Sequence, residues 1–391
     1  MYRVGMIVPS SNTCLEPMTY RILEGVDEVS VHFARVPVTR IALDADSMSR
    51  FSVDTMTAAA QLLADAKVDV IAWNGTAGSW LGPDYDRQMC AAITESTGVP
   101  ATTSTLALLD ACRAFGATRL GLALPYTSDV AERIASTYRA EGIECTAVEF
   151  LGLTENNDFA AVPSAGVAEL IAASAQGQPH AVAVVCTNVH GAPEVAPLEA
   201  KLGLPIFDSV SATLWKTLEA SGVWLPGWGA LLENGTMRTG FQRAIGALLE
   251  ATGADRTTLR IDVPGRGLQV DLAAAECLRP GVPAIRHDAS LDQRALNTVS
   301  WLELHRSTLV QPHFRADPSP PAALISVYGV NAQMLGPVVR GGELIGWISA
   351  HSLTERPWTE ADQRAMAQAV AQVHDVLDGA RLDGGGDSTR G

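Results

Sequence analysis

The cysteine at position 186 ends an apolar run, "HAVAVVCTNVHG" (180–191), and an earlier run, "VDVIAWNGTAGS" (68–79), has the same shape with Gly75 in the place of the thiol. A thiol at the end of a buried strand can deliver or remove a proton, or attack as a nucleophile. The hydroxyls of Thr76 and Tyr126 and the backbone N–H groups of Ala77 and Thr187 are hydrogen-bond donors that could surround the same point. Loss of CO2 or of an α-proton from a carboxylate leaves negative charge on the remaining carboxylate oxygens. Donors preorganised around those oxygens, as in an oxyanion hole, lower the barrier by several kcal/mol. An ordinary thiol has a pKa of about 8.5, so proton donation needs no shift, whereas a thiolate role needs nearby dipoles. Two further groups could join: His190, four residues after Cys186, as partner of a nucleophilic thiol, and Cys14, near Asn12, as a second thiol entering from another direction.

These residues must be placed by strands and helices. Short β-rich runs ("YRVGMIVP", "VSVHFARVPV", "VDVIAWNG") alternate with longer Ala/Leu-rich helical patterns ("EPMTYRILEG", "VDTMTAAAQLLADA", "PDYDRQMCAAITESTG"). Such alternation predicts parallel strands with helices on both faces, and near-continuous apolar strands fit burial on both sides. The pattern then repeats: "VGMIVPSSNTCLEP" is echoed by "LGLALPYTSDVAER", "VDVIAWNGTAGS" by "AVAVVCTNVHGA", and "TGVPATTSTLALLDA" by "LGLPIFDSVSATLWKT". Asn12 precedes Gly75 by 63 residues and Tyr126 precedes Cys186 by 60. The expected fold is α/β, with two doubly wound parallel-sheet halves related by a pseudo-two-fold axis. Ligands of open parallel sheets bind beyond the carboxyl ends of the strands, so the site is expected between the halves. Asp86, Arg87 and Glu95 read as a solvated helix face, and "PGRGLQ" (264–269) is too short a glycine pattern for phosphate binding.

A Pro/Gly/Trp-rich stretch, "VWLPGWGALLENG" (223–235), ends the alternation. The expected division is a catalytic domain over 1–225, a linker over 226–239, an α+β domain with an antiparallel sheet over 240–380, and a loose Gly-rich tail over 381–391. In the third segment a helix through "GFQRAIGALLEATGA" leads into "TTLRIDV", and Gly341-Gly342 is suited to a tight hairpin turn. Thr359 and Asp362 have capping-box spacing at the start of a last helix.

With "GMIVPSSNTCLEP", "PYTSDV" and "CTN" set in this duplicated architecture, residues 1 to about 225 resemble the aspartate/glutamate racemase superfamily, closest to maleate cis-trans isomerases and arylmalonate decarboxylases. The resemblance implies an enzyme without metal or organic cofactor that binds a small carboxylate between its halves. It places Cys186 on the second of the family's two cysteines and Gly75 at the first. It matches Asn12 in "PSSN", with Ser11 beside it, to a substrate-binding Asn, Tyr126 to a site Tyr, and Asn156 or Asn157 to another Asn. Gly75-Thr76-Ala77 is similar to the Gly-Thr-Ser of the decarboxylases, with Ala77 in place of the Ser. "YGVNAQMLGPVVRGGELIGWISAHS" and the "RPWTEADQ" helix start resemble a GAF domain, which implies a regulatory or dimerising module that could take a small-molecule ligand.

The net charge of −15 and a pI of about 4.9 set the chain against nucleic acid and anionic membranes as partners. Six scattered cysteines without a CxxC pair argue against a disulfide framework and a zinc site. With no targeting signal or apolar span visible, a cytoplasmic homo-oligomer is expected. The leading expectation is a decarboxylase or other lyase working through an enediolate-like state with Cys186 as sole thiol. Alternatives are a maleate-type cis-trans isomerase or racemase, a cysteine hydrolase of a cyclic amide or imide assisted by His190, and a non-catalytic metabolite sensor.

Overall fold

The structure is a computed structural model describing residues 1–38, 53–314 and 317–379. The chain divides into two compact units, the first over Met1–Arg113 and Ala117–Gly235, the second over Ala114–Gly116 and from Thr236 onward.

The first unit contains two four-stranded parallel sheets. One holds β1 (Tyr2–Pro9), β2 (Val29–Val36), β3 (Val70–Trp73) and β4 (Ala101–Thr103) in the order β2-β1-β3-β4. The other holds β5 (Arg119–Leu124), β6 (Glu144–Phe150), β7 (Ala181–Val184) and β8 (Ile206–Asp208) in the order β6-β5-β7-β8. The same order occurs twice, as the internal repeat predicts. Every residue of "VIAW" in β3 and "AVAV" in β7 is buried, which is why these strands show no period-two alternation. The repeat also fixes where equivalent helices stop. Those over Pro83–Thr97 and Ala192–Leu202 end on Gly98 (φ 72°) and Gly203 (φ 70°), left-handed positions that favour glycine. Pro100 and Pro205 follow, and their carbonyls feed β3 and β7 through the Ile71 and Val182 N–H groups.

One expectation is corrected here. Asp86 does not lie on a solvated face with Arg87 and Glu95; it is buried, and Thr103 Oγ1 donates to its carboxylate at 2.5 Å. Gly78 makes the room, since a Cβ there would lie 2.4 Å from the Asp86 carboxylate. Burial pushes the Asp86 pKa up to about 7 against the lowering effect of its hydroxyl partners.

The second unit is an antiparallel five-stranded sheet with helices. The helix Ala230–Thr252 runs into it, and begins within the stretch expected as a linker, ahead of the expected start at Gly240. Strands β9 (Arg256–Ile261), β10 (Ala275–Leu278), β11 (Leu309–Gln311), β12 (Ala332–Arg340) and β13 (Glu343–Ser352) take the order β10-β9-β13-β12-β11. Gly341 and Gly342 turn the β12–β13 hairpin with φ of 58° and 84°, both left-handed. At the last helix (Glu360–Gly379), Thr359 N–H donates to Asp362 Oδ2 (2.8 Å) and Asp362 N–H to Thr359 Oγ1 (3.2 Å), a reciprocal capping box. The tail over 381–391 lies outside the described residues.

All six cysteines are free thiols. Among the described residues no helix is long and apolar enough to cross a membrane, and no group of three or more His, Cys, Asp or Glu could hold a metal ion.

Candidate active site between the two halves

In each half the two central strands, β1 and β3 or β5 and β7, lie side by side, and their carboxyl-end loops are the ones the repeat singles out. Those loops meet. A small cavity is lined by Pro9, Trp73, Gly75, Thr76 and Ala77 from the first half and by Tyr126, Asn156, Cys186 and Thr187 from the second, with Val38 and Trp80 completing it. About 20 Å³ of it is open to the centre of a water molecule, room for about one ordered water. A carboxylate substrate therefore enters only if some of the lining moves.

Cys186 is held from several sides. Its N–H donates to Ser209 Oγ (3.1 Å), which itself donates to the Val184 carbonyl (2.6 Å). The Asn188 N–H donates to its sulfur at 3.4 Å, and the Tyr126 hydroxyl bonds the same sulfur. Burial pushes the Cys186 thiol up to about 11, outweighing the lowering effects of Tyr126 and the Asn188 N–H, and buried Asp208 adds to the rise. The group is a protonated thiol at neutral pH. Tyr126 lies between Trp80 and Phe159, edge-on to both, with ring centroids 5.4 and 5.3 Å away. Thr76 Oγ1 is 2.9 Å from its oxygen. Either hydroxyl can donate in that bond, so Thr76, Tyr126 and Cys186 form one contiguous polar chain.

Opposite stands Gly75 without a reactive atom, and the structure gives the reason. A Cβ at Gly75 would lie 2.3 Å from Cε2 and Cζ2 of the Trp73 indole, which is fully buried. The ring occupies the space that a side chain at 75 would need. Among the described residues, no acceptor takes the backbone N–H of Thr76, Ala77 or Thr187. Three unpaired N–H groups, of the kind an oxyanion requires, therefore belong to residues that line the cavity.

The remaining expected residues divide into lining and support. Asn156 lines the cavity, whereas Asn157 is exposed. Ser11 sits behind Asn156, accepting from its Nδ2 (2.7 Å) and donating to the Val38 carbonyl (2.5 Å). Asn12 is buried behind Thr187: its Nδ2 donates to Thr187 Oγ1 (3.2 Å), its Oδ1 accepts from the Cys14 and Leu15 N–H groups, and Thr187 Oγ1 donates to the Asn74 carbonyl (2.9 Å). Cys14 and His190 do not line the cavity. Cys14 Sγ lies 3.3 Å from His190 Nδ1 and donates to the Val189 carbonyl, so His190 is paired with Cys14 rather than with Cys186. Burial, together with the charges of Asp208 and Cys186, raises the Cys14 thiol pKa as well.

Sequence reasoning missed Trp73, Trp80, Asn188 and the Asp208–Ser209 pair. Asn188 accepts at Oδ1 from the Thr13 and Cys14 N–H groups (3.0 and 3.2 Å) and donates from Nδ2 to the Asn156 carbonyl (2.5 Å). Asp208 caps the helix Ser209–Leu218 by accepting from Val210 and Ser211 N–H, both at 3.0 Å. The motif "FDSVSA" carried the capping signal, an Asp before a helix. Nothing in the sequence pointed to the Trp73 contact.

Residues 4–229 match the family model described as arylmalonate decarboxylase, and residues 236–374 match the GAF domain. A maleate isomerase of Pseudomonas putida is 29% identical over 254 residues, covering 60% of this chain and 98% of that protein. The arylmalonate decarboxylase of Bordetella bronchiseptica is 26% identical over 237 residues, covering 59% and 96%. The crystal structure of the maleate isomerase Iso from Pseudomonas putida S16 superimposes with a TM-score of 0.55 at 28% identity, over 60% of this chain and 99% of that one.

Proposed function

Because the chain belongs to the arylmalonate decarboxylase family, we propose that its first unit is a lyase that needs no cofactor and decarboxylates a small carboxylic acid bearing two carboxylates on one carbon. The observation that carries this reading is a single buried, protonated thiol, Cys186, on a cavity whose other strand end carries N–H groups, the Thr76 hydroxyl and the Trp73 ring but no thiol. The N–H groups of Thr76, Ala77 and Thr187 receive the retained carboxylate. The C–C bond to the departing CO2 breaks, and its electron pair spreads into that carboxylate as an enediolate. Each donor aimed at the developing oxyanion is worth roughly 3–4 kcal/mol. The Cys186 S–H then gives its proton to the carbon, and the thiolate left behind, held by Tyr126 and the Asn188 N–H, takes a proton from water. A high thiol pKa suits this step, because the acid form is the resting form.

A second reading is maleate-type isomerisation, favoured by the identity to the Pseudomonas putida maleate isomerase. That route uses a nucleophilic cysteine at the position that Gly75 holds here, and would leave the attack to Cys186, for which a pKa near 11 is adverse. The test is incubation of the full chain with phenylmalonate and, separately, maleate in D2O. Release of CO2 with one deuteron on the product carbon, lost by about 100-fold or more in Cys186→Ser, is expected. Decarboxylation that survives in Cys186→Ser would overturn the thiol role, and conversion of maleate to fumarate without CO2 release would favour the isomerase. Tight binding without turnover of either acid would leave a metabolite sensor.

A further inference from the structure

The second unit contains a cavity on the face of its sheet turned away from the hydrophobic core. Leu259, Ile261, Ile348 and Ala350 point into that core, and their strand neighbours Thr258, Arg260, Trp347, Ser349 and His351 line the cavity instead, as the two-residue period of a strand requires. About 50 Å³ is open to the centre of a water molecule, several times what one water needs.

Its polar groups are buried and incompletely used. Arg260 Nη1 donates to the Val270 and Asp271 carbonyls (2.9 and 2.6 Å); among the described residues its other nitrogens have no acceptor and no carboxylate lies within ion-pair distance. Neither Thr258 Oγ1 nor Ser349 Oγ has a hydrogen-bond partner among the described residues, although both residues are buried. His351, between Arg256 and Arg260, is held neutral, its pKa pushed down to about 3 by burial and those two cations. Most of the remaining wall is apolar, with Ile285, Leu296, Val299, Leu324, Leu335 and Trp347, and Gln293, Thr298 and Gln333 add polar side chains to it. Arg260 feels the charges of Glu276, Asp288 and Asp271, yet among the described residues it is ion-paired with none of them; a buried guanidinium without a paired carboxylate is costly, and an anion in the cavity would supply one. The one carboxylate on the lining, Asp288, accepts from the Tyr328 hydroxyl (2.5 Å) and the Ser290 N–H (2.8 Å) and is held below the usual carboxylate range by these bonds. Its fixed negative charge disfavours a second negative charge on the ligand.

We propose that this cavity is a binding site for a short organic monocarboxylate, with the carboxylate on Arg260, Thr258 and Ser349 and the hydrocarbon tail against Trp347 and the leucines. The site is independent of the reaction assigned to the first unit.

The test uses the full chain labelled with 5-fluorotryptophan. Trp347 is one of 8 tryptophans, and its fluorine resonance is assigned by its loss in Trp347→Phe. Butanoate, 3-methylbutanoate and benzoate are titrated beside the neutral 3-methylbutanamide and the dianion butanedioate. A saturable shift of the Trp347 resonance is expected with at least one monocarboxylate at about millimolar concentration or below, with the amide and the dianion about tenfold or more weaker. Arg260→Met should weaken the acid by about tenfold or more, the scale of a lost charge-assisted hydrogen bond, and leave the amide unchanged. If Arg260→Met broadens the other tryptophan resonances, Ser349→Ala serves in its place, with a smaller loss expected. The proposal is overturned if no monocarboxylate moves the Trp347 resonance up to about 10 mM, if acid and amide bind alike, or if the folded variant binds the acid as well as the parent.

Discussion

Replacing Gly75 by alanine isolates the contact that keeps the first strand end empty. The backbone is no obstacle, since Gly75 is absent from the glycines with positive φ. The obstacle is the Trp73 indole, with two ring carbons 2.3 Å and Nε1 2.6 Å from the added Cβ. No carbon pair tolerates such a separation, and the indole is fully buried, so ring and loop must shift together. Overpacking of this kind costs about 1–3 kcal/mol, which for a unit of this size lowers Tm by about 2–4 °C per kcal/mol. The measurement is thermal and urea unfolding of Gly75→Ala, Trp73→Leu and the double variant. Trp73→Leu is itself destabilising through the volume it removes. In its background the alanine should cost less than about 0.5 kcal/mol, so the cycle should show a coupling of about 1–2 kcal/mol. An alanine that is harmless alone, or as costly with leucine at 73 as with tryptophan, would refute the steric account. The same cycle bears on function: if Trp73 keeps Gly75 bare, Gly75→Cys places a thiol in the cavity only when Trp73 is reduced in size.

Other outcomes follow from the same geometry. Burial raises the carboxyl groups of Asp86 and Asp208 to about 7, whereas in the unfolded chain each titrates near its ordinary value of about 4. Their contribution to stability is therefore fully present below about pH 4 and lost as pH rises through 7, by up to about 1.4 kcal/mol for each pH step of one that separates the two states. Urea unfolding from about pH 4.5 to 8 should show that fall, and Asp86→Asn should flatten it. Asn188→Ala removes the acceptor of the Thr13 and Cys14 N–H groups and the donor to the Asn156 carbonyl. It should cost about 1–3 kcal/mol of stability, read by urea unfolding. Asp362→Ala breaks the capping box of the last helix, together with the ion pair to Arg356 at 3.1 Å. It should lower stability by about 0.5–2 kcal/mol, seen in the denaturation of the second unit.

The fold was legible because its signals are local and repeated. "VIAW" and "AVAV", the "TGVP" and "LGLP" helix ends, and the Gly341-Gly342 hairpin each announce themselves within a few residues. The loops of the site were legible for the same reason, since each follows a strand of the repeat. Their internal arrangement was not. That Asn12 supports Thr187 from behind, or that His190 turns to Cys14, depends on contacts between residues far apart in sequence. Asp86 was misplaced because a charged residue on a helix is ordinarily solvated, and only the bare Cα of Gly78 makes its burial sterically feasible. The helix from Ala230 was read as starting late because "LPGWG" masks an N-terminus that lies just beyond it.

The bonds that build the cavity span long stretches of chain: Asn12 to Thr187 and Thr13 to Asn188 across 175 residues, Ser11 to Asn156 across 145, Thr187 to Asn74 across 113. Contacts of such sequence separation close only after their loop entropy is met, and they form late in folding. Each half can assemble its own sheet from nearer contacts, whereas the cavity exists only once both are finished and docked. Competence is thus gated by assembly. A nascent chain with only its first half folded presents Gly75 and its N–H groups to water with no acid to serve them. The second half by itself already sets Cys186 against Tyr126, Asn188 and Ser209, so before the halves meet it holds an acid without the N–H groups of Thr76 and Ala77 to seat a substrate beside it.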